Sequence, residues 1–218
     1  ITFVKMIYTL TTYNVYNYGA ALQAYALQQY ILSKGKDTQL LNYQPEYLTR
    51  KYDYKWVNPE SKMNRYALTR FIYRILKYLQ RQTTLGRKSA FDLFVQRYLL
   101  QSNLYSSHSD LLANPPHGEL FIVGSDQIWN TFYDAGRDGA FYLDFVKEAR
   151  RASYAASFSY TDIDEEVKPQ LRKWLSTFSA ISVREFHGLD IVEDLGQEAT
   201  WVLDPVFLLD IKDWKRIM

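Results

Sequence analysis

A mostly parallel α/β sheet covered by helices on both faces is the fold class this sequence predicts, and three observations predict it. Apolar, β-branched and aromatic runs of strand length recur along the 218 residues. Stretches with helical periodicity separate most of them, and polar turns follow the runs at their C-terminal ends. Consecutive strands joined through helices read as parallel, because a parallel return needs a crossover of about a dozen residues or more.

The first run, "TFVKMIYTL", has the content of a buried strand, and Thr11 to Tyr18 forms a polar loop after it. Ala20, Ala24, Leu27 and Ile31 then recur at helical spacing on one face. Gly19, just before them, either lets the helix approach the sheet closely or leaves the helix start open to a ligand. "SKGKD" stops the helix, with Gly35 at its C-terminal end, and "TQLLNY" is the second strand. Strand, helix and strand make one βαβ unit with a right-handed crossover. That unit makes the fold Rossmann-like.

From Gln44 to about residue 115 the alternation gives way to a helical, basic excursion. Leu68, Ile72, Ile75 and Leu79 form an apolar stripe over 66–81, while Arg70, Arg74, Lys77 and Arg81 form a basic one. "RKSAFDLFVQRYL" predicts a second, shorter helix. "GELFIVGSDQIWN" resumes the sheet with a third strand running into a polar turn. "RRASYAASF" is the fourth strand, and Asp164 to Phe178 is a helix with Asp164, Glu165 and Glu166 in its first turn, where the helix dipole favours acids. "AISVRE", the short helix "FHGLDIVEDLG", the strand "TWVLD" and a final helix in "DIKDWKRIM" complete a single domain over 1–218.

Composition removes several functions. Cysteine is absent, so disulfides and thiolate metal sites are excluded, and His108, His117 and His187 show no metal-ligand spacing. No metal is expected. No apolar run reaches the roughly 18 residues of a membrane span, and no secretory leader opens the chain, so a cytoplasmic protein is expected. The net charge of +2 conceals a division: residues 44–100 hold twelve Lys and Arg against four acids, and residues 101–218 hold eleven against nineteen. With near balance overall and no recognition motif, nucleic acid is not an expected partner. The basic helix at 66–81 offers a peripheral contact with an anionic membrane face, or simply a solvated surface.

Ligands of open parallel sheets bind outside the carboxyl ends of the strands. The polar runs at those ends are Asn14 to Gly19, Gly124 to Asn130, Ser157 to Thr161, Arg184 with Glu185, and Asp204 with Pro205. "GSDQIWN" reads equally as a capped turn around a packed Trp129. G-x-G-x-x-G, G-K-[ST] and G-x-S-x-G are all missing, so neither a dinucleotide fingerprint, a Walker loop nor a hydrolase elbow is present.

Taken in order, "NYGAALQAYAL", "FIVGSDQIWN", "YLDF", "ASYAASF", "ISVRE" and "VLDP" resemble the N-terminal portion of the polysaccharide pyruvyl transferase family, with 44–115 matching least. The resemblance implies transfer of the enolpyruvyl unit of phosphoenolpyruvate to sugar hydroxyls, forming a pyruvyl ketal during surface polysaccharide synthesis. Phosphoenolpyruvate is then a donor substrate, no cofactor is needed, and the acceptor is a sugar or a polysaccharide repeat, lipid-linked in some settings. It also implies half of a GT-B fold, with a second C-terminal domain absent from this chain, which alone should be inactive. On this reading Asn17, Gly19 and Gln23 line one wall of a cleft, and Ser125, Asp126, Gln127 and Asn130 line the other. Arg184 reaches the donor, and Asp126 serves as base for a sugar hydroxyl. Two alternatives remain: a non-catalytic module for a sugar or nucleotide sugar, and a related GT-B glycosyltransferase.

Overall fold

Ile7–Leu10 forms strand β1, and Thr38–Tyr43 forms β2, which lies parallel to it with Ile7 opposite Thr38. On the other side of β1 runs β4 (Leu120–Val123), with Ile7 opposite Leu120 and Leu10 opposite Val123. The outer neighbours are β3 (Gln101–Tyr105) beside β2 and β5 (Arg150–Ser153) beside β4. These five strands have the order β3-β2-β1-β4-β5, and all are parallel. A parallel pair, β6 (Ser182–Val183) and β7 (Thr200–Trp201), extends that edge. Bridges from Ala152 to Ala180 and from Ala156 to Val183 join it to β5. The computed structural model describes residues 5–50, 56–58 and 61–217. Residues 2–4 of the expected first strand lie outside these.

The expected fold class holds: a Rossmann-like parallel sheet with helices on both faces, compatible with half of a GT-B architecture. Successive strand residues point to opposite faces, and β2 shows the consequence. Leu40 packs with Ala24 and Tyr25 on one side, and Leu41 packs with Leu10 and Phe121 on the other. Both leucines are fully buried, each contributing about 2 kcal/mol of apolar transfer. Helix α1 (Tyr18–Ser33) covers the first face together with the C-terminal half of the long helix α3 (Ala67–Tyr98) and the last helix, α7 (Ile211–Trp214). The other face carries α4 (His108–Ala113), α5 (Lys168–Leu175), α6 (His187–Asp194) and the irregular segment around Trp129 and Tyr142.

Helix α1 is buried on more than the predicted stripe. Ala21, Gln23, Tyr25, Ala26 and Gln28 are covered as well, because sheet, α3 and α7 enclose it. Gln28, fully buried, accepts from Leu100 N and donates to Leu100 O, which ties α1 to the start of β3.

Two expectations fail in the excursion. The two helices expected there are one, α3 (Ala67–Tyr98, 32 residues). Gly86 and its threonine neighbours weaken a helix by about 1 kcal/mol or less each, and no proline or N-cap interrupts the run, so the helix continues. The excursion also contains a strand, β3, besides the one-turn helix α2 (Glu46–Thr49). "QSNLY" has no apolar alternation because β3 is an exposed edge whose register against β2 shifts between Leu40 and Asn42. The Arg81 side chain lies outside the described residues. Other predicted elements shorten without changing type: "RRASYAASF" contracts to β5, and the acids of 164–166 precede α5 as a 3-10 turn capped by Asp164.

Candidate functional site

The strand order reverses at β1 and β4, since the chain leaves β1 toward β2 on one side and later returns to β4 on the other. A crevice opens where the loops after two such strands diverge. Those loops are Thr11 to Asn17, which overlaps the polar run Asn14 to Gly19 named from sequence, and Gly124 to Asn130, named there as well.

Buried hydrogen bonds hold them together. Thr11 donates from Oγ1 to Ser125 O (3.0 Å) and accepts from Gln23 Nε2 (2.9 Å). Gln23 also donates to Ala20 O (2.9 Å), and its Oε1 accepts from Ser125 N (3.1 Å). Thus a helix side chain spans both loops. The turn that receives it demands glycine: Gly124 has φ +114°, and a Cβ there would collide with Tyr154 O. Asp126, also left-handed with φ 68°, follows the cis Gly124–Ser125 peptide. Its Oδ2 accepts from Thr12 Oγ1 (2.7 Å) and its Oδ1 from Gln127 N (2.9 Å).

Arg184 enters from the end of β6, where its N–H bonds Ala156 O. Its Nη1 donates to Asp204 Oδ2 (3.1 Å) and to Ser125 Oγ (3.3 Å), while Ser125 Oγ donates to the same Asp204 oxygen (3.1 Å). Asp204 Oδ1 accepts from Val206 N and so caps the 3-10 turn Pro205–Leu208. The three ends form a closed triangle at the floor of a cleft of about 250 Å³.

Asn17, Gly19, Gln23, Asp126 and Arg184 line this cleft. Ser125 lies beneath it, fully buried. Gln127 is exposed and Asn130 buried, and neither lines it. Asn130 Oδ1 accepts from Phe132 N, and its backbone leaves no room for a Cβ at Gly136. Trp129 is fully buried and donates from Nε1 to Phe141 O (3.0 Å), so the packed-turn reading describes this half of "GSDQIWN".

The helix start is not open in the way the sequence suggested. Asn17 Oδ1 accepts from Gly19 N (2.8 Å) and Ala20 N (3.4 Å), so these two N–H groups of α1 already have a side-chain acceptor. Nor does Gly19 pack against the sheet. It is exposed, and an added Cβ would approach only Asn17 Oδ1, at 3.3 Å. Close packing comes from Ala20, Ala24 and Ala26 instead.

The sequence singles out neither Thr11 nor Thr12, and it marks Asp204 only as a polar strand end, not as the partner of Arg184 and Ser125. The threonines sat in a loop chosen for its Asn and Gly, and Asp204 carried the ordinary signal of an Asp-Pro turn. The histidines stay outside the cleft lining. His108 Nε2 meets Asp144 Oδ1 (2.6 Å), beside Asp138, which accepts from the hydroxyls of Tyr43 (2.5 Å) and Tyr47 (2.6 Å). Burial, reinforced by Asp138, raises both tyrosine pKa values and keeps them neutral donors. Among the described residues no cluster suits a metal ion.

Chemically the cleft offers carboxylates that can accept from hydroxyl groups, one planar guanidinium that can face a carboxylate or phosphate, and a hydrogen-bonded floor. The polysaccharide pyruvyl transferase family model matches residues 17–218, nearly the whole chain. The chain belongs to the polysaccharide pyruvyl transferase family. No curated protein and no solved structure matches it. The family match begins at Asn17, the residue that caps α1 at the cleft mouth.

Proposed function

We propose that this chain contributes one wall of a pyruvyl transferase site, acting on phosphoenolpyruvate and a sugar of a surface polysaccharide precursor. The observation that carries the reading is that Arg184 and Asp126 line one cleft at the switch point, in a member of this family. The donor's methylene carbon takes a proton from a general acid, giving an oxocarbenium-like C2. A sugar hydroxyl then attacks C2, phosphate leaves, and a second hydroxyl closes the ketal. Arg184 faces the donor's anionic end, and Asp126 takes the hydroxyl proton.

The charge balance defines what else this site needs. Asp126 and Asp204 outnumber Arg184, whereas phosphoenolpyruvate brings both a phosphate and a carboxylate. On this reading further cations come from outside this cleft lining, where the family resemblance puts a second domain.

The test is incubation of the full-length protein with phosphoenolpyruvate and candidate glycan acceptors, following phosphate release. Release that depends on both substrates, and that Arg184→Ala abolishes while circular dichroism shows the variant folded, is the expected result. The same charge balance favours a second reading: a cleft for a neutral sugar, without pyruvyl transfer. Titration showing acceptor binding but no phosphoenolpyruvate binding in the full-length protein supports it over the first.

A further inference from the structure

The N-terminal half of α3 is turned the wrong way for a helix in water. Leu68, Phe71, Ile72, Ile75, Leu76 and Leu79 are 43% to 69% exposed, and at the helical period they fall within an arc of about 140°. On the opposite side Arg70 and Lys77 are half-buried, and Lys77 donates from Nζ to Trp56 O (3.0 Å). A soluble surface helix shows the reverse arrangement, with its apolar arc inward. Only the C-terminal half of α3 is conventional, docking Phe91, Phe94 and Tyr98 against α1.

The charge around this arc identifies what covers it. Residues 61–91 hold eight Lys and Arg and no acid, the nearest acids being Glu60 and Asp92. A second copy of the chain seated on the arc would set two such cationic segments against each other. An anionic lipid surface is complementary in both respects: its headgroups neutralise the cations, and its acyl boundary accepts the apolar arc. Residues 67–79 extend about 20 Å along the helix. With the arc immersed by the roughly 5–10 Å usual for an interfacial helix, Arg74, exposed on the flank of the arc, stands at phosphate depth. Among the described residues no helix is long and apolar enough to cross the bilayer, so contact of this kind is peripheral.

We propose that the exposed apolar arc of α3, with its acid-free basic flank, is a docking surface for anionic membrane. The inference is independent of the reaction assigned to the cleft.

The test is flotation of the full chain with vesicles of phosphatidylcholine alone and of phosphatidylcholine mixed with phosphatidylglycerol, at low and high salt. Binding should favour the mixed vesicles and weaken with salt. The double variant Ile72→Ser/Ile75→Ser should lose binding to both. Arg74→Gln should lower partitioning to the mixed vesicles by roughly fivefold. Unchanged circular dichroism melting shows that each variant is folded. Equal binding to both vesicle types, no binding to either, or indifference to both variants overturns the proposal. So does a dimer in sedimentation that Ile72→Ser/Ile75→Ser dissolves, since a second copy is then the occupant.

Discussion

Gln23 carries more of the cleft's geometry than its sequence position advertises. Both protons of its amide nitrogen are used, on Thr11 and Ala20, and its oxygen holds Ser125 N. Gln23→Ala removes these bonds and leaves the buried Ser125 N–H unsatisfied, so an equilibrium loss of about 3 kcal/mol is expected in urea unfolding. A loss below about 1 kcal/mol shows that water replaces the amide. Asp204 acts differently, because it anchors a charge. Asp204→Asn should cost about 1 kcal/mol, since an amide oxygen can keep part of the contact, and it should alter ligand affinity through the loosened Arg184. Calorimetric titration with phosphoenolpyruvate, set beside the melting curve, separates the two effects. Gly19→Ala has the opposite balance. It should leave stability unchanged or higher by up to about 1 kcal/mol, because the position is helical and nearly open, yet narrow the cleft mouth. At this scale sequence located the participants but not their obligations. Asn17 and Gln23 stood out as cleft residues; the Asn17 cap is a local pattern, whereas Gln23's bond to the loop after β4 depends on a long-range approach no local pattern encodes. Asp204 went unnoticed as a partner because its local role as a turn cap accounts for it fully.

Elements here were legible where burial is one-sided and obscure where it is not. The strand "GELFIVGSD" and the start of α1 follow from periodicity and polar punctuation. The edge strand β3 gives no such signal, because an exposed edge selects neither alternation nor β-branched content. The expected break in α3 fails for the related reason that a lone glycine is a weak stop. Helix α4 shows how a short element is fixed by its cap. Ser107 Oγ accepts from Asp110 N, and Asp110 Oδ2 accepts from Ser106 N (3.0 Å) and Ser106 Oγ (2.6 Å). The Ser106 hydroxyl above all, with help from nearby N–H groups, holds the Asp110 carboxyl below its usual range. A depressed folded-state pKa contributes stability that is present above the unfolded value, about 3.9, and is lost as pH falls through the folded value. Asp110→Asn should therefore lower the thermal midpoint near neutral pH and converge with the parent in strong acid. A midpoint difference that persists unchanged below pH of about 3 shows instead that the cap acts through geometry alone.

Across the whole molecule the contrast is between a sheet sealed on two faces and a helix half of which stands away from it. Leu10, Leu40, Leu41 and Val123 have no exposure, so opening β1, β2 or β4 requires uncovering both layers. The first half of α3 has its apolar side chains in solvent, and helices held by few tertiary contacts open locally at little cost. Amide hydrogen exchange followed by mass spectrometry should then rank three regions. Peptides covering 7–10 and 120–123 should exchange last, at the rate of global unfolding. Peptides covering 90–98 should follow, protected by the ring contacts of Tyr25 with Phe94 and Tyr98. Peptides covering 67–79 should exchange first, although they share one continuous helix with 90–98. Protection of 67–79 that matches 90–98 in dilute solution would mean that the free half is already covered there without lipid. Added anionic vesicles should slow 67–79 selectively and leave the sheet peptides unchanged, because docking through the arc makes no contact with β1 or β4.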